Sequence, residues 1–410
     1  MLNKIKYAKS WLHISVFNFF LLAVLGVIMR FNIISTTVLL IQGNVKESHS
    51  HFAFYGWVTS AIYLLVGNYL SVVLKKEVRP FQWILTLNLI GSFGMLVTFL
   101  YGGYYWLSIA FSAVCLFTGF LYFFVLLQYR RIVNSWAFRW ILAGAFFAGV
   151  SALGIFSIAF FSSRKDEFLV FYRASNYFYL HFQYNGFFLF SCIGLLLNYV
   201  KQKGVFIDKR YLKYGYYSLL ISCFFGVGLS FLWAVESSLF ATFCQVIGGV
   251  QLIGFFVLVK SLFQAVSKTV ANHSTVLKTL FALFSFAYLI KFVLQFLSAF
   301  QVFGQAAFLN HDVIIVYLHL VLLLGISLNL VYLIAKEFNL DSDKKLAFAM
   351  FCVAISVLLY VLLLGVKALC SVMGFSPAYS HLLLFFSSVL IALSLLAFFV
   401  QLVIRKISRR

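Results

Sequence analysis

The sequence predicts an all-α membrane protein that crosses the bilayer about twelve times. Apolar residues make up 64% of the 410-residue chain and charged residues only 10%, whereas soluble domains contain about 45–50% apolar residues. The mean hydropathy of +1.02 agrees with this composition. Apolar stretches of the roughly 20 residues that a transmembrane helix needs recur along the whole chain. Positive charge alternates between the segments that connect them.

The apolar stretches define the predicted elements in order. The twelve expected spans are 11–30, 51–74, 81–101, 104–128, 137–161, 177–200, 214–235, 239–263, 276–300, 313–335, 346–369 and 379–404. Their connections are too short for a soluble domain, so a single transmembrane domain over residues 1–410 is expected. The two prolines, Pro80 and Pro377, come just before a span, where a missing N–H costs little. The spans should therefore be mostly unbroken helices.

The distribution of basic residues predicts the orientation. With a cytoplasmic N-terminus, 24 of the 31 Lys and Arg residues fall on the cytoplasmic side, and the seven others are Arg30, Lys46, Arg164, Lys165, Arg173, Lys291 and Lys367. This asymmetry follows the positive-inside rule and predicts a multi-pass protein of the cytoplasmic (inner) membrane with both termini in the cytoplasm. The net charge of +21 then faces anionic lipid. The lipid bilayer is an expected partner, and nucleic acid is not.

The positions of the cysteines and acidic residues argue against several classes of metal site and transporter. The six cysteines form no C-x-x-C pair, which argues against a zinc ribbon, a redox pair and covalent haem attachment. All ten acids lie in loops or at span ends, which disfavours proton carriers that use an intramembrane carboxylate. The clearest intramembrane charge is Lys291 in span 9, with Lys367 at the outer end of span 11. Both are candidate partners for an anionic group such as a haem propionate.

Three histidines occupy similar positions in spans 2, 6 and 10. His51, His181 and His319 each lie in the outer half of the bilayer, counted at 1.5 Å of rise per residue, and each has a glycine downstream. Buried imidazole is costly unless it bonds or ligates something, so this recurrence predicts metal ligands. A small residue below a histidine gives a flat macrocycle room against the helix. The other outer histidines are His49, His311 and His381; alternatively, all of these rings only cap helix ends at the interface.

This arrangement resembles subunit I of the haem–copper oxidases, including the catalytic subunits of nitric oxide reductases. The segment His49-Ser50-His51-Phe52-Ala53-Phe54-Tyr55-Gly56-Trp57-Val58 is similar to the H-x-H-(apolar)-G-W segment of shorter bacterial members. The resemblance implies three four-helix arcs around a pseudo-threefold axis, with metal ligands on helices 2, 6, 7 and 10. A second twelve-span haem- and copper-binding family has W-H-x-H-E and G-F-L-L segments that this chain lacks.

The resemblance implies roles for individual positions. His51, or His49 beside it, matches the span-2 ligand of a low-spin haem b, and His319 matches its second axial ligand. His181 falls where span 6 carries a copper ligand, but span 7 holds no histidine, so copper is doubtful. Tyr317 stands where the ligand of a second haem should be, and tyrosine can ligate haem iron. Alternatively, His181, His311 and His381, all at the outer level, rebuild a metal site from other helices.

The sequence therefore predicts a divergent haem-binding member of this superfamily. We expect electron transfer, redox or gas sensing, or a reduced form of oxidase-like or nitric oxide reductase-like chemistry, with an electron-donor protein or quinol as partner. Catalytic residues are not identified. The alternative is a metal-free transporter or membrane scaffold.

Overall fold

The chain folds into membrane-length helices. The computed structural model describes residues 8–205, 207–375 and 379–408, with backbone alone at 305–307, 309 and 406–408. Within these residues no strand occurs, and twelve helices are long and apolar enough to cross a membrane. We number them spans 1–12: Ala8–Ile34, Gln42–Val73, Pro80–Gly102, Trp106–Tyr129, Trp136–Ser162, Leu169–Gln202, Lys209–Phe231, Ser238–Ala271, Thr275–Leu297, His311–Glu337, Lys344–Val372 and Ser380–Arg405.

The predicted all-α polytopic membrane fold with twelve spans is confirmed. Its arrangement in three arcs stays a prediction, as does a single domain. Pro377 and the two chain ends, predicted to be cytoplasmic, lie outside the described residues. Spans 2 and 6 begin at Gln42 and Leu169, earlier than expected. Hydropathy detects only the apolar part of a helix, whereas backbone hydrogen bonding continues into polar flanks. His51 and His181 therefore lie well inside their helices.

Polar side chains at loop–helix junctions start several spans. Ser135 accepts a hydrogen bond from Phe138 N at the start of span 5. Asp208 and Asp343 accept from two backbone N–H groups each at the starts of spans 7 and 11. Such caps satisfy the first N–H groups of a helix, which have no partner within it.

The chain forms two compact units. Unit 1 comprises Met1–Val125, Ser274–Leu283 and Ile326–Arg410; within it span 1 packs against spans 2 and 12, and span 11 against span 12. Unit 2 comprises Leu126–His273 and Phe284–Gly325; within it span 5 packs against span 6, and span 7 against span 8. Spans 2 and 6 are the most buried, with 89% and 83% of their apolar windows covered, against 50% or less elsewhere in the described chain.

Three spans contain an internal segment of π-helix. The π segments are Phe52–Thr59 in span 2, Phe182–Phe188 in span 6 and Leu320–Ser327 in span 10. Span 7 also ends irregularly, in a 3-10 segment at Gly226–Phe231. Spans 2, 6 and 10 are nevertheless each one continuous helix, as expected, and only the hydrogen-bond pattern changes inside them. A π segment needs no proline, because the wider turn only shifts hydrogen-bond partners by one residue.

Buried amides support the π segment of span 2. Asn18 of span 1 donates to the carbonyl of Gly56 over 2.7 Å, and Asn88 of span 3 donates to the carbonyl of Tyr55 over 2.8 Å. Both asparagines are completely buried. Because unsatisfied backbone groups are costly in hydrocarbon, these two bonds stabilise an otherwise unfavourable local geometry.

Candidate functional site

His51 is held in a defined orientation within unit 1. It is the last α-helical residue before the π segment of span 2, and its Nδ1 lies 2.9 Å from the carbonyl oxygen of Glu47, one turn earlier. A carbonyl only accepts, so Nδ1 carries the hydrogen and the lone pair of the neutral ring is on Nε2. The hydroxyl of Tyr104 lies 3.4 Å from Nε2, and the ring stacks on Phe99 at 4.4 Å between centroids.

His319 repeats this local geometry in unit 2. It is likewise the last α-helical residue before a π segment, and its Nδ1 lies 2.8 Å from the carbonyl oxygen of Ile315, one turn earlier. The neutral ring therefore also has its lone pair on Nε2. Histidines that ligate metals almost always donate their other ring N–H in this way, to a carbonyl or a carboxylate.

His181 differs, although its sequence context is similar. Its Nε2 donates to the carbonyl of Cys223 in span 7 over 2.9 Å, and its Nδ1 accepts from Nδ2 of Asn185 over 3.2 Å. The ring is 1% exposed and both of its nitrogens have protein partners. A copper ion could bind Nδ1 only by displacing Asn185. His181 thus connects span 6 to span 7, which carries no histidine.

The other predicted metal residues are distributed along both units. Tyr317 packs against Tyr184 in unit 2, with ring centroids 6.3 Å apart. His311 is exposed at the start of span 10, whereas His381, near the start of span 12, is half-buried. Over residues 8–205, 207–375 and 379–408, no group of three or more His, Cys, Asp or Glu side chains could hold a metal ion. Metal roles for these residues stay predictions.

The predicted cofactor residues also divide between the units. In unit 1, the ring of His49 lies beside Gly26 of span 1, and Lys367 is half-buried in span 11. In unit 2, Lys291 is 1% exposed. The structure therefore places His49 and Lys367 in the same unit as His51, and Lys291 in the same unit as His319.

The π segments are the feature that sequence reasoning missed, and the downstream glycines were their signal. A Cβ atom on Gly56 would lie 2.5 Å from the ring of Phe52, and one on Gly186 would lie 2.5 Å from Phe147. At Gly325 the nearest atom would be in the ring of Tyr288, at 3.1 Å. The glycines thus make room for the protein's own aromatic rings. Their presence alone does not indicate a slot for a macrocycle.

A search of known family models gives no match to this chain, and a search of curated proteins gives none either. The resemblance to the haem–copper oxidases therefore depends on the residues quoted above.

Proposed function

We propose that this chain is a haem-binding integral membrane protein that transfers electrons or senses redox state or a gas. One observation carries the proposal: His51 and His319 share a ring orientation in which Nδ1 donates to a carbonyl one turn earlier. That bond fixes the tautomer and presents the lone pair of Nε2, as in metal-ligating histidines. A bound haem b would supply one-electron redox chemistry.

The protein's own contribution is to hold and shield the ring of His51, the proposed haem ligand. Glu47 fixes the His51 ring through its carbonyl, and Phe99 limits its tilt by stacking. The hydroxyl of Tyr104 lies where an Nε2 ligand would bind, but Tyr104 is 59% exposed, so its side chain can rotate outward. The pairing of His51 with His319 comes from the sequence alone. Lys367 remains a proposed partner for a propionate.

We propose that catalysis by this protein is reduced in comparison with that of the haem–copper oxidases. His181 has protein partners on both ring nitrogens, and its neighbour in span 7 is a backbone carbonyl instead of a second histidine. Copper-dependent reduction of oxygen is therefore not proposed. Electrons would come from a donor protein or a quinol in the membrane. The excess of basic residues on one side supports an inner-membrane location with cytoplasmic termini.

A metal-free transporter or scaffold is the second candidate, and two contacts favour it. The carbonyl and amide partners of His181 satisfy that ring without any metal. The hydroxyl of Tyr104 also gives Nε2 of His51 a donor within the protein. Such bonds meet the requirement that buried polar groups be paired.

The absorption spectrum of the purified protein tests the proposal. We expect a reducible haem with a low-spin spectrum, and His51→Ala and His319→Ala should each abolish it or make it high-spin. His273→Ala is the matched control, since His273 lies at a helix end and bonds to Tyr199; it should keep the spectrum. Protein from haem-replete cells that contains no haem would refute the proposal and favour the metal-free candidate.

A further inference from the structure

Lys291 is an exceptional cation in this protein. Of the lysine and arginine side chains that the structure describes, only Lys291 and Arg405 are buried. Arg405 donates to the carbonyl of Asn339 over 3.0 Å. In contrast, Nζ of Lys291 has no hydrogen-bond partner among the described residues. Its Nζ lies over the ring of the next residue, Phe292, 3.9 Å from the ring centroid.

The surroundings of Lys291 provide no counter-charge. No aspartate or glutamate is buried in the described part of the chain. His181, in the same unit as Lys291, already donates to a carbonyl and accepts from an amide. An ionisable side chain inside a membrane is expensive and usually marks a binding or transport site. Lys291 therefore lacks the partner that an ammonium needs in hydrocarbon.

Gln295 adds a second polar group to the same helix face. It lies four residues after Lys291, a spacing that places two side chains side by side on a helix. Gln295 is 7% exposed, and its Oε1 has no hydrogen-bond partner among the described residues. A half-turn of the amide exchanges its oxygen and nitrogen, so Gln295 can present two N–H donors instead. An ammonium and an amide are together suited to an anion.

We propose that Lys291 and Gln295 bind a small monovalent anion, such as nitrate or thiocyanate, inside unit 2. A single ammonium balances a single charge. Burial beside the ring of Phe292 favours an anion that loses its water easily, because desolvation is the main cost of burying an ion. This site does not depend on the proposed haem.

Anion titration of the full-length protein tests this inference. Protein purified in gluconate buffer is titrated with nitrate and with thiocyanate, and binding is followed by calorimetry and by thermal stability. The wild type should show saturable binding and stabilisation. Lys291→Met should weaken binding by roughly tenfold or more, about 1.4 kcal/mol, whereas Lys291→Arg should retain it. Gln295→Leu should weaken binding by a smaller factor and serves as the second variant if Lys291→Met does not fold.

The control is Lys278→Met, since Lys278 is exposed on the same span and should leave binding unchanged. Absence of saturable binding to the wild type, or equal affinity in Lys291→Met, would overturn the site. Loss of nitrate binding on loading with haem would also overturn it, by identifying a propionate as the natural anion. The titration can also be carried out on protein that contains no haem, so a failure to find haem would not decide whether the anion site exists.

Discussion

The buried amides of Asn18 and Asn88, which support the π segment of span 2, permit a quantitative prediction about stability. Asn88 donates to the carbonyl of Tyr55 and to the hydroxyl of Ser60, each over 2.8 Å. Replacing it by leucine keeps the side-chain size and removes both bonds. A net hydrogen bond contributes about 1 kcal/mol in proteins and about 0.6 kcal/mol between membrane helices. Asn88→Leu should therefore lower the free energy of unfolding by about 1–2 kcal/mol.

Two features keep the expected loss of unfolding free energy in Asn88→Leu near the lower end of this range. The carbonyl of Tyr55 also accepts from Ser60 over 3.1 Å, so it does not lose every donor. In addition, Oδ1 of Asn88 has no partner among the described residues, and leucine removes that buried acceptor. Asn18 makes a single bond to the carbonyl of Gly56, so Asn18→Leu should cost about half as much, roughly 0.5–1 kcal/mol.

Thermal and denaturant unfolding of the detergent-purified variants provides the assay. The expected order of destabilisation is Asn88→Leu, then Asn18→Leu, with Asn272→Leu close to wild type because Asn272 is exposed at the end of span 8. Equal stability of Asn88→Leu and Asn272→Leu would refute the assignment of these amides as supports of the π segment. A larger loss of stability in Asn18→Leu than in Asn88→Leu would contradict the expectation that two lost hydrogen bonds cost more than one.

Four further predictions follow from the sequence and the site. A reporter fused to the C-terminus should be cytoplasmic and one inserted near Gly102 external; the opposite result at either position refutes the orientation. Tyr104→Phe removes the hydroxyl beside the proposed ligand nitrogen and should leave haem content equal or higher, as pyridine haemochrome assays measure; loss of haem would mean that the hydroxyl holds the site together. The purified protein should not reduce oxygen at respiratory-oxidase rates, and one copper per chain, lost in His181→Ala, would show a working metal centre. Gly186→Ala should destabilise by about 1–3 kcal/mol through overpacking, whereas Gly365→Ala, whose Cβ meets nothing within 4 Å, should be neutral or slightly stabilising; similar unfolding midpoints for the two would contradict the close contact with Phe147.

The sequence predicted the membrane fold well because a membrane span can be identified from consecutive residues alone. A helix that crosses hydrocarbon must satisfy its own backbone, so length and hydropathy suffice to find the twelve spans. Helix ends were less predictable: spans 2 and 6 begin at Gln42 and Leu169, so that polar residues such as Lys46 and Arg173 lie inside helices that extend beyond the apolar stretch. The π segments were harder to predict: a downstream glycine marks each one in the sequence, but the segments also depend on partners from other spans, as Asn18 and Asn88 illustrate.

The three histidines show where sequence similarity stops being informative. His51 and His181 each precede a glycine by five residues and each ends an α-helical stretch before a π segment. Yet the tautomer of each ring is set by a neighbour that the local sequence does not specify. A carbonyl one turn earlier holds Nδ1 of His51, whereas a carbonyl from another span holds Nε2 of His181. Because a neutral imidazole offers one donor and one acceptor, that choice determines which nitrogen remains for a ligand. The chemistry of equivalent positions in spans 2 and 6 can therefore differ without any change in the motif itself.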